Sequence, residues 1–496
     1  MRERLNAKPN DVISKYIFRP AIIDDSKRSF ANMMKVNMAH VLMLHKKNLL
    51  STQDAKVLLN ALMKLSDKGP DILELNPEYE DLYFNIEEYI MHETGPDIGG
   101  IMHTARSRND LNSTVIRMNV RESIINIFIL FLNVKESLIK VAEENVSTVM
   151  TGYTHMQPAQ PITFAHYLIG IIEALQRDFQ RLMNAYNSLN ISPLGGAAFA
   201  GTSFDIDRSY TRDILGFDGL VENSLDAVAS RDYLMEIMSG MAICGTTISR
   251  LANDLYIWTS DEFRYIEVDN SMAACSSIMP QKKNPIALEH IKAKTSHLLS
   301  SFVSIFCCLK NVLYSHCRDI SSEAPREFWD GVEQFEIILE LLNETINHLS
   351  VNKENMKTKV NKNFSTVTEL ADELVRKDKI TFRKAHGIVG SLVSDCIDLG
   401  ISAEQITYEM LVEKSREFGI EKLSITDQTV RFILNAGNAI NKKNSIGGPA
   451  PEECSRMLAK EKEKLKKDWG KYDNIVEKLV LADKNLINDV DIIMKG

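Results

Sequence analysis

Apolar residues recur at spacings of three and four along most of the chain, the signature of amphipathic helices. Residues 112–148 contain neither Pro nor Gly, and Val115, Met118, Ile125, Phe128, Ile129, Leu132, Leu138 and Val141 fall near one helical face. That spacing predicts a helix of roughly 35 residues, about 50 Å long at 1.5 Å per residue. Similar proline-free segments run over residues 164–189, 233–268 and 286–313. Several helices of this length predict an all-α protein built around an elongated bundle.

Breaks in the pattern divide the chain. Up to about residue 105 the helices are short, separated by Pro20, Pro70, Pro77 and Pro96. Residues 106–355 hold the long helices. From about 356 the chain is expected to return to short helices, with a loop at Asn444–Pro451. Three domains are expected: an N-terminal helical domain over 1–105, a central long-helix bundle over 106–355 and a C-terminal helical domain over 356–496. With 496 residues, a single compact core would be exceeded. The Lys/Glu-rich stretch Ala459–Lys471 reads as a solvated helix face.

A net charge of −9 argues against a dedicated nucleic-acid binder. The longest apolar runs, Ile124–Leu132 and Phe302–Leu309, are too short to span a bilayer, so no membrane partner is expected. Met1–Asn10 is polar and lacks the apolar run of a secretory signal. Seven cysteines are scattered without Cys-x-x-Cys spacing, which suits a reducing cytoplasm, and the Cys307-Cys308 pair is expected to be buried thiols. No EF-hand, HExxH, P-loop or GxGxxG pattern occurs, so neither a metal nor a nucleotide cofactor is expected.

Three polar clusters interrupt this background. His103–Asp110 precedes the first long helix; guanidinium forks, hydroxyls and an amide at a helix start favour a carboxylate, or form a cap with an ordinary salt bridge. Thr151–Pro161 reads as a loop closing that helix, where Thr154 and His155 offer a proton donor and a titratable imidazole. Cys275–Pro285 holds two serines, two lysines and an amide between prolines, so it reads as a shaped loop rather than a helix or strand. The first two clusters lie at opposite ends of a helix about 50 Å long, so they cannot grip one small substrate within one chain. Antiparallel association of subunits would bring them together.

These three clusters, in this order on long helices, resemble the fumarase/aspartase superfamily, and within it the argininosuccinate lyase branch. Glu80-Asp81, Pro193-Leu194-Gly195, Asn223–Val228, Leu370-Ala371-Asp372 and Gly447–Pro451 extend the resemblance along nearly the whole chain. It implies a three-domain all-α fold whose long helices form a 20-helix core in a homotetramer, with four sites each drawing on three chains. It also implies cleavage of an N-succinyl substrate with release of fumarate. Ser276 would then be the base, an assignment resting on the family register because local sequence cannot separate it from Ser277. Lys282 would stabilise the alkoxide, and Asn284 and loop amides the carboxylate that gains charge. Thr154 and His155 would protonate the departing nitrogen, with Glu289 paired to that His. Ser107, Arg108 and Asn109 would hold the succinyl carboxylates, assisted by Arg231 and by Gln157 of the second cluster.

The chain departs from the branch where the leaving amine is chosen. Positions that hold Tyr, Gln and Lys in the family carry His316, Ser321 and Ala324, and Cys275 stands where a Gly is usual. Either these are drift in an argininosuccinate-cleaving enzyme, with His316 and Ser321 serving the same ligand, or the amine half differs. An N-succinyl diamine or amino acid, such as ethylenediamine-disuccinate, is the alternative. Adenylosuccinate cleavage fits the motifs less well. An inactive structural relative is a further class, opposed by the presence of Ser276, Lys282, Asn284, Thr154 and His155.

Overall fold

The computed structural model describes Arg4 and residues 7–496. Its N-terminal part packs α1 (Phe30–Lys46), α2 (Thr52–Lys68) and α3 (Leu82–Thr94) around a cluster that includes Met34, Leu58, Leu62 and Ile86. The predicted long helix is α4 (Arg108–Glu143), 36 residues without interruption. Ser107 caps it in extended conformation, its side chain accepting from the Asn109 amide, and Asp110 reaches back to the Ser107 amide to complete a capping box. At its far end the chain does not loop freely. Strands β1 (Val149–Thr154) and β2 (Gln157–Thr163) form an antiparallel hairpin, which corrects the expected loop. Pro158 and Pro161 are tolerated because a two-stranded ladder leaves each strand an unpaired edge. Gly152 sits at the register shift, where a Cβ would lie 2.8 Å from the Gln160 carbonyl oxygen.

The remaining bundle helices are α5 (Phe164–Leu189), capped by the Thr163 hydroxyl, and α6 (Asp232–Trp258). The expected helix over 233–268 ends ten residues early. The Thr259 and Ser260 hydroxyls bond back to the carbonyls of Tyr256 and Ile257, and the chain turns into β3 (Ile266–Val268). The third cluster is flanked by β4 (Ala274–Cys275) and β5 (Lys283–Asn284), which pair antiparallel, so the expected loop is the crown of a short hairpin. Then come α7 (Ile286–Leu309), four residues shorter than expected, α8 (Ala324–Asn347) and β6 (Leu349–Val351), which pairs with β3.

Helix α4 packs on α5 and α8, α5 on α6, α6 on α7, and α7 on α8, closing a five-helix ring. Phe128, Phe131, Phe179, Ile237, Leu298 and Phe335, all fully buried, fill its interior. Truncating one such Phe to Ala costs about 3–5 kcal/mol. Gly245 lets α6 approach α7, since a Cβ there would already touch Leu298 at 3.0 Å.

Short helices do follow residue 356, around a separate cluster with Leu370, Ile388 and Ile433. The expectation then fails. Residues Pro451–Lys495 form α9, at 45 residues longer than α4. Its first half contributes Met457 and Leu465 to the bundle core, and its second half Leu486 and Val490 to the N-terminal cluster. Residues 459–471 do present a solvated face, but not only that: Glu461 and Asp468 are buried on the other side, Asp468 ion-pairing with Lys135 of α4 at 3.0 Å. All seven cysteines are free thiols, and Cys307 is exposed rather than buried because it lies on the outer face of α7.

Candidate active site

The bundle has two chemically distinct poles. At the first, the start of α4 meets the end of α5 and the start of α6. Arg117 donates to the Ser188 and Leu189 carbonyls and to the Ser230 hydroxyl, and Arg231 donates to Ser113 Oγ at 2.9 Å. Arg231 is 2% exposed, so it braces the pole instead of presenting an open fork. Arg108 lies over the Phe84 ring at 3.9 Å and ion-pairs with Asp81 at 2.8 Å and Glu80 at 3.4 Å. Asn109 donates to the Ala198 carbonyl at 2.9 Å. The cap reading and the anion-binding reading of this cluster are thus compatible: Ser107 caps the helix, and Arg108 is a partly exposed cation with a carboxylate already beside it.

His316 belongs to the same pole. It sits half-buried in the connection from α7 to α8, where Tyr314 hydrogen-bonds Asp226. Burial first, then the charges of Arg231, Arg318 and Arg108, push its pKa down to about 4, so the ring is neutral at physiological pH. Ser321 lies on a π-turn over Asp319–Glu323 and donates to the Cys317 carbonyl at 3.1 Å.

The second pole holds the β1–β2 hairpin. Thr154 pairs with Gln157, leaving His155 and Met156 as a two-residue turn with φ of 54° and 59°. Both central residues at positive φ define a type I′ turn, usually made by Asn-Gly. Here it lifts Thr154, His155 and Gln157 into solvent. The hairpin is anchored by the Tyr153 and Tyr265 hydroxyls, 2.7 Å apart, and by Phe263 packed edge-on against Tyr153. A cavity of 690 Å³ lies beneath it, walled mainly by apolar groups including Met150, Tyr167 and Trp258. At the same pole Glu289, in the first turn of α7, accepts from the Tyr256 hydroxyl at 3.4 Å.

The third cluster projects from this pole. Ser276 is half-buried while residues 277–283 are exposed, Ile278 to 82%. Ser276 Oγ accepts from the backbone amides of Met279 at 3.1 Å and Ile278 at 3.4 Å. Lys282 is exposed, its amide held by the Met279 carbonyl at 3.1 Å, and Lys283 pairs with Glu267 at 2.9 Å. Asn284 is fixed by its ladder pairing with Ala274. One chain therefore gathers Ser107, Arg108, Asn109, Arg231, His316 and Ser321 at one pole. Thr154, His155, Gln157, Ser276, Lys282, Asn284 and Glu289 stand towards the other, separated by a helix of about 54 Å.

A family model for lyases matches residues 13–299, and one for the argininosuccinate lyase C-terminal region matches 364–441. The chain is 42% identical over 97% of its length to argininosuccinate lyase 1 of Shouchella clausii, also over 97% of that protein. It is 36% identical to argininosuccinate lyase of Methanococcus maripaludis, over 98% of this chain and 99% of the relative. The chain belongs to the argininosuccinate lyase family. Among solved structures, EDDS lyase in complex with formate superposes with a TM-score of 0.88 at 30% identity, covering 99% of this chain and 97% of that one. A fumarate lyase from Mesorhizobium sp. BNC1, at 16% identity and TM-score 0.72 over 88% of this chain and 97% of that one, shares the fold. This agrees with the all-α expectation and with carbon–nitrogen lyase chemistry.

The sequence reading missed a polar network behind the first cluster of this lyase. Tyr83 donates to Glu87 at 3.0 Å and meets His103 Nδ1 at 2.7 Å; buried Arg106 stacks over the Tyr83 ring, and His40 bonds the Thr104 carbonyl oxygen at 2.9 Å. Burial pushes His103 down to about 4 and His40 well below its ordinary value, so both rings stay neutral beside Arg106. Asp110, fully buried, accepts from the amides of Gly195 and Ala197 and so ties the 193–199 turn to the α4 start. The Ser-x-x-Asp spacing of the capping box was the available signal for Asp110. His103 and Arg106 were visible in the first cluster, but their partners lie in other helices.

Proposed function

We propose that this chain catalyses reversible β-elimination of fumarate from an N-succinyl amine or guanidine, with argininosuccinate as the foremost substrate. The observation that carries this reading is Ser276 Oγ held by two backbone amides at the crown of an exposed hairpin. Those donors, with Lys282, favour the alkoxide that can take the proton from the carbon beside the carboxylate. The carbanion electrons enter that carboxylate, then reform the carbon–carbon double bond as the C–N bond breaks. The nitrogen leaves with the bonding pair and takes a proton from Thr154 or His155, Glu289 orienting the imidazole. Ser107, Arg108 and Asn109 hold the succinyl carboxylates, the substrate competing with Asp81 for Arg108. Asn284 and Gln157 supply further donors, and Arg231 braces the pole. No cofactor takes part.

The separation of the poles supports a site shared between chains, and the reading proposed is a homotetramer with three chains to each site, in a cytoplasmic enzyme. Exposed Ile243 on α6 and Leu299, Val303 and Phe306 on α7 form an apolar stripe suited to covering by further copies. The test is fumarate absorbance on incubation with argininosuccinate. Arg108→Ala and Ser276→Ala chains, each inactive alone, should regain activity when co-refolded; no recovery would refute site sharing. The EDDS lyase likeness and the residues at 316, 321 and 324 favour ethylenediamine-disuccinate as the second substrate to assay.

A further inference from the structure

We propose that Tyr256 is a positioning residue for the lyase reaction: its hydroxyl holds one oxygen of Glu289 so that the other is presented to the His155 imidazole. This rests on the reaction proposed above and adds to it a group that lies in none of the three polar clusters. Tyr256 stands in the last turn of α6 and Glu289 in the first turn of α7, helices that pack on one another. The Tyr256 hydroxyl donates to Glu289 Oε1 at 3.4 Å and has no other partner among the described residues. Lys292 Nζ lies over the same ring, 4.4 Å from its centroid. Glu289 and Lys292 are three residues apart, so they share one face of α7. That face engages the phenol twice, the ring through an ammonium and the hydroxyl through a carboxylate. The Thr259 hydroxyl bonds to the Tyr256 carbonyl oxygen at 2.7 Å and fixes the backbone from which the ring projects.

This contact does little for stability and more for orientation. Glu289 is exposed and Tyr256 half-buried, so water satisfies both groups when the bond is lost and the fold loses little. A free glutamate side chain, by contrast, samples many rotamers, and holding one of its oxygens removes most of them. Lys292 is spaced to pair with that carboxylate, yet it lies on the ring and forms no ion pair with Glu289 among the described residues. Oε1 is therefore taken by a neutral donor, while Oε2 has no partner among the described residues. A carboxylate fixed at one oxygen offers the other in a set direction, as an imidazole N–H needs if the ring is to stay in one tautomer. At 3.4 Å the bond is long, and such bonds tighten in the reacting complex.

Single-turnover rates of fumarate formation, with argininosuccinate and with ethylenediamine-N,N′-disuccinate, test this apart from product release. On the compound accepted, Tyr256→Phe should slow the rate about three- to tenfold, the worth of one hydrogen bond, with KM within about twofold and Tm unchanged. In a Glu289→Ala background the same change should alter the rate by less than about twofold, because Tyr256 acts through that carboxylate alone. A parental rate in Tyr256→Phe overturns the proposal. So does an equal loss in both backgrounds, which would place the effect in the packing of α6 on α7. Either result leaves the lyase reaction intact. A Glu289→Ala chain as fast as the parent overturns the roles of Glu289 and Tyr256 together. Absence of fumarate from both compounds with the parent chain overturns the reaction itself, and the positioning role with it.

Discussion

Replacing Asp468 with Ala tests how the 45-residue helix α9 is fixed to the bundle. Lys135 Nζ lies 3.0 Å from Asp468 Oδ2, with the two side chains 0% and 2% exposed. Gln176 of α5 joins them, donating to Asp468 Oδ2 at 2.9 Å and accepting from Lys135, so three helices meet at one buried polar point. Removing the aspartate strands the ammonium in the core, which costs about 3–5 kcal/mol. An unfolding entropy of about 2.1 cal/mol/K per residue over 496 residues is roughly 1 kcal/mol/K, so the loss corresponds to a fall of about 3–5 °C in Tm.

The deficit also carries a pH signature. Lys135 is already held below its ordinary pKa, chiefly by burial, and Asp468 is the leading group opposing that shift. Without Asp468 the folded pKa drops further. Between that value and the unfolded value of about 10.4 the unfolded chain binds more protons, so stability rises with pH. The deficit of Asp468→Ala should therefore shrink as pH rises towards the unfolded value of about 10.4. Thermal unfolding at one fixed protein concentration measures both effects, with Lys135→Met and Lys135→Met/Asp468→Leu completing a double-mutant cycle. The double variant should be close to the parent, since an apolar pair of similar volume often replaces a buried ion pair without loss. A loss below about 1 kcal/mol in Asp468→Ala, or a double variant as weak as the single, would refute the reasoning.

Three further outcomes follow from the site. Ser276→Ala should lower kcat by about 10²–10⁴-fold with little change in KM, whereas Ser277→Ala should keep most activity; a reversed pattern moves the base to Ser277. His40 is held well below 6.5, chiefly by burial, so its stabilising contribution is complete above that pH and is lost as pH falls, by about 1.4 kcal/mol per unit. Urea titrations between about pH 6.5 and 5 should show this slope, with His103 and His316 adding in the same direction, and His40→Gln should flatten it by about one proton. Met156, at φ 59°, should accept Gly without loss of Tm, while Met156→Val should cost about 1–2 kcal/mol; equal Tm values would show that the turn is unstrained.

The difference between what sequence revealed and what it hid lies in the range of the interactions. Helix α5 was legible to its last residue because its apolar period is strong and the Thr163 cap and Asn190 stop are local. Helix α9 was not, because one face of its Lys/Glu-rich start is buried against partners hundreds of positions away, Lys135 and Asp468 being 333 residues apart. All three polar clusters stood out as candidates from their residue types, but not that Asp81, 27 residues upstream, already holds Arg108, nor that Arg231 is buried.

The second cluster carries the sharpest lesson. Two prolines and a glycine made it read as a loop, yet it is a hairpin whose turn sets His155 and Met156 in the left-handed region at about 1–3 kcal/mol each. Asn-Gly would make the same turn without that strain. A strained turn persists only where the surrounding structure holds it, and the Tyr153–Tyr265 contact and the Phe263 packing provide that hold. Strain held at an exposed imidazole beside Thr154 is what the proposed role of this tip in the reaction would require.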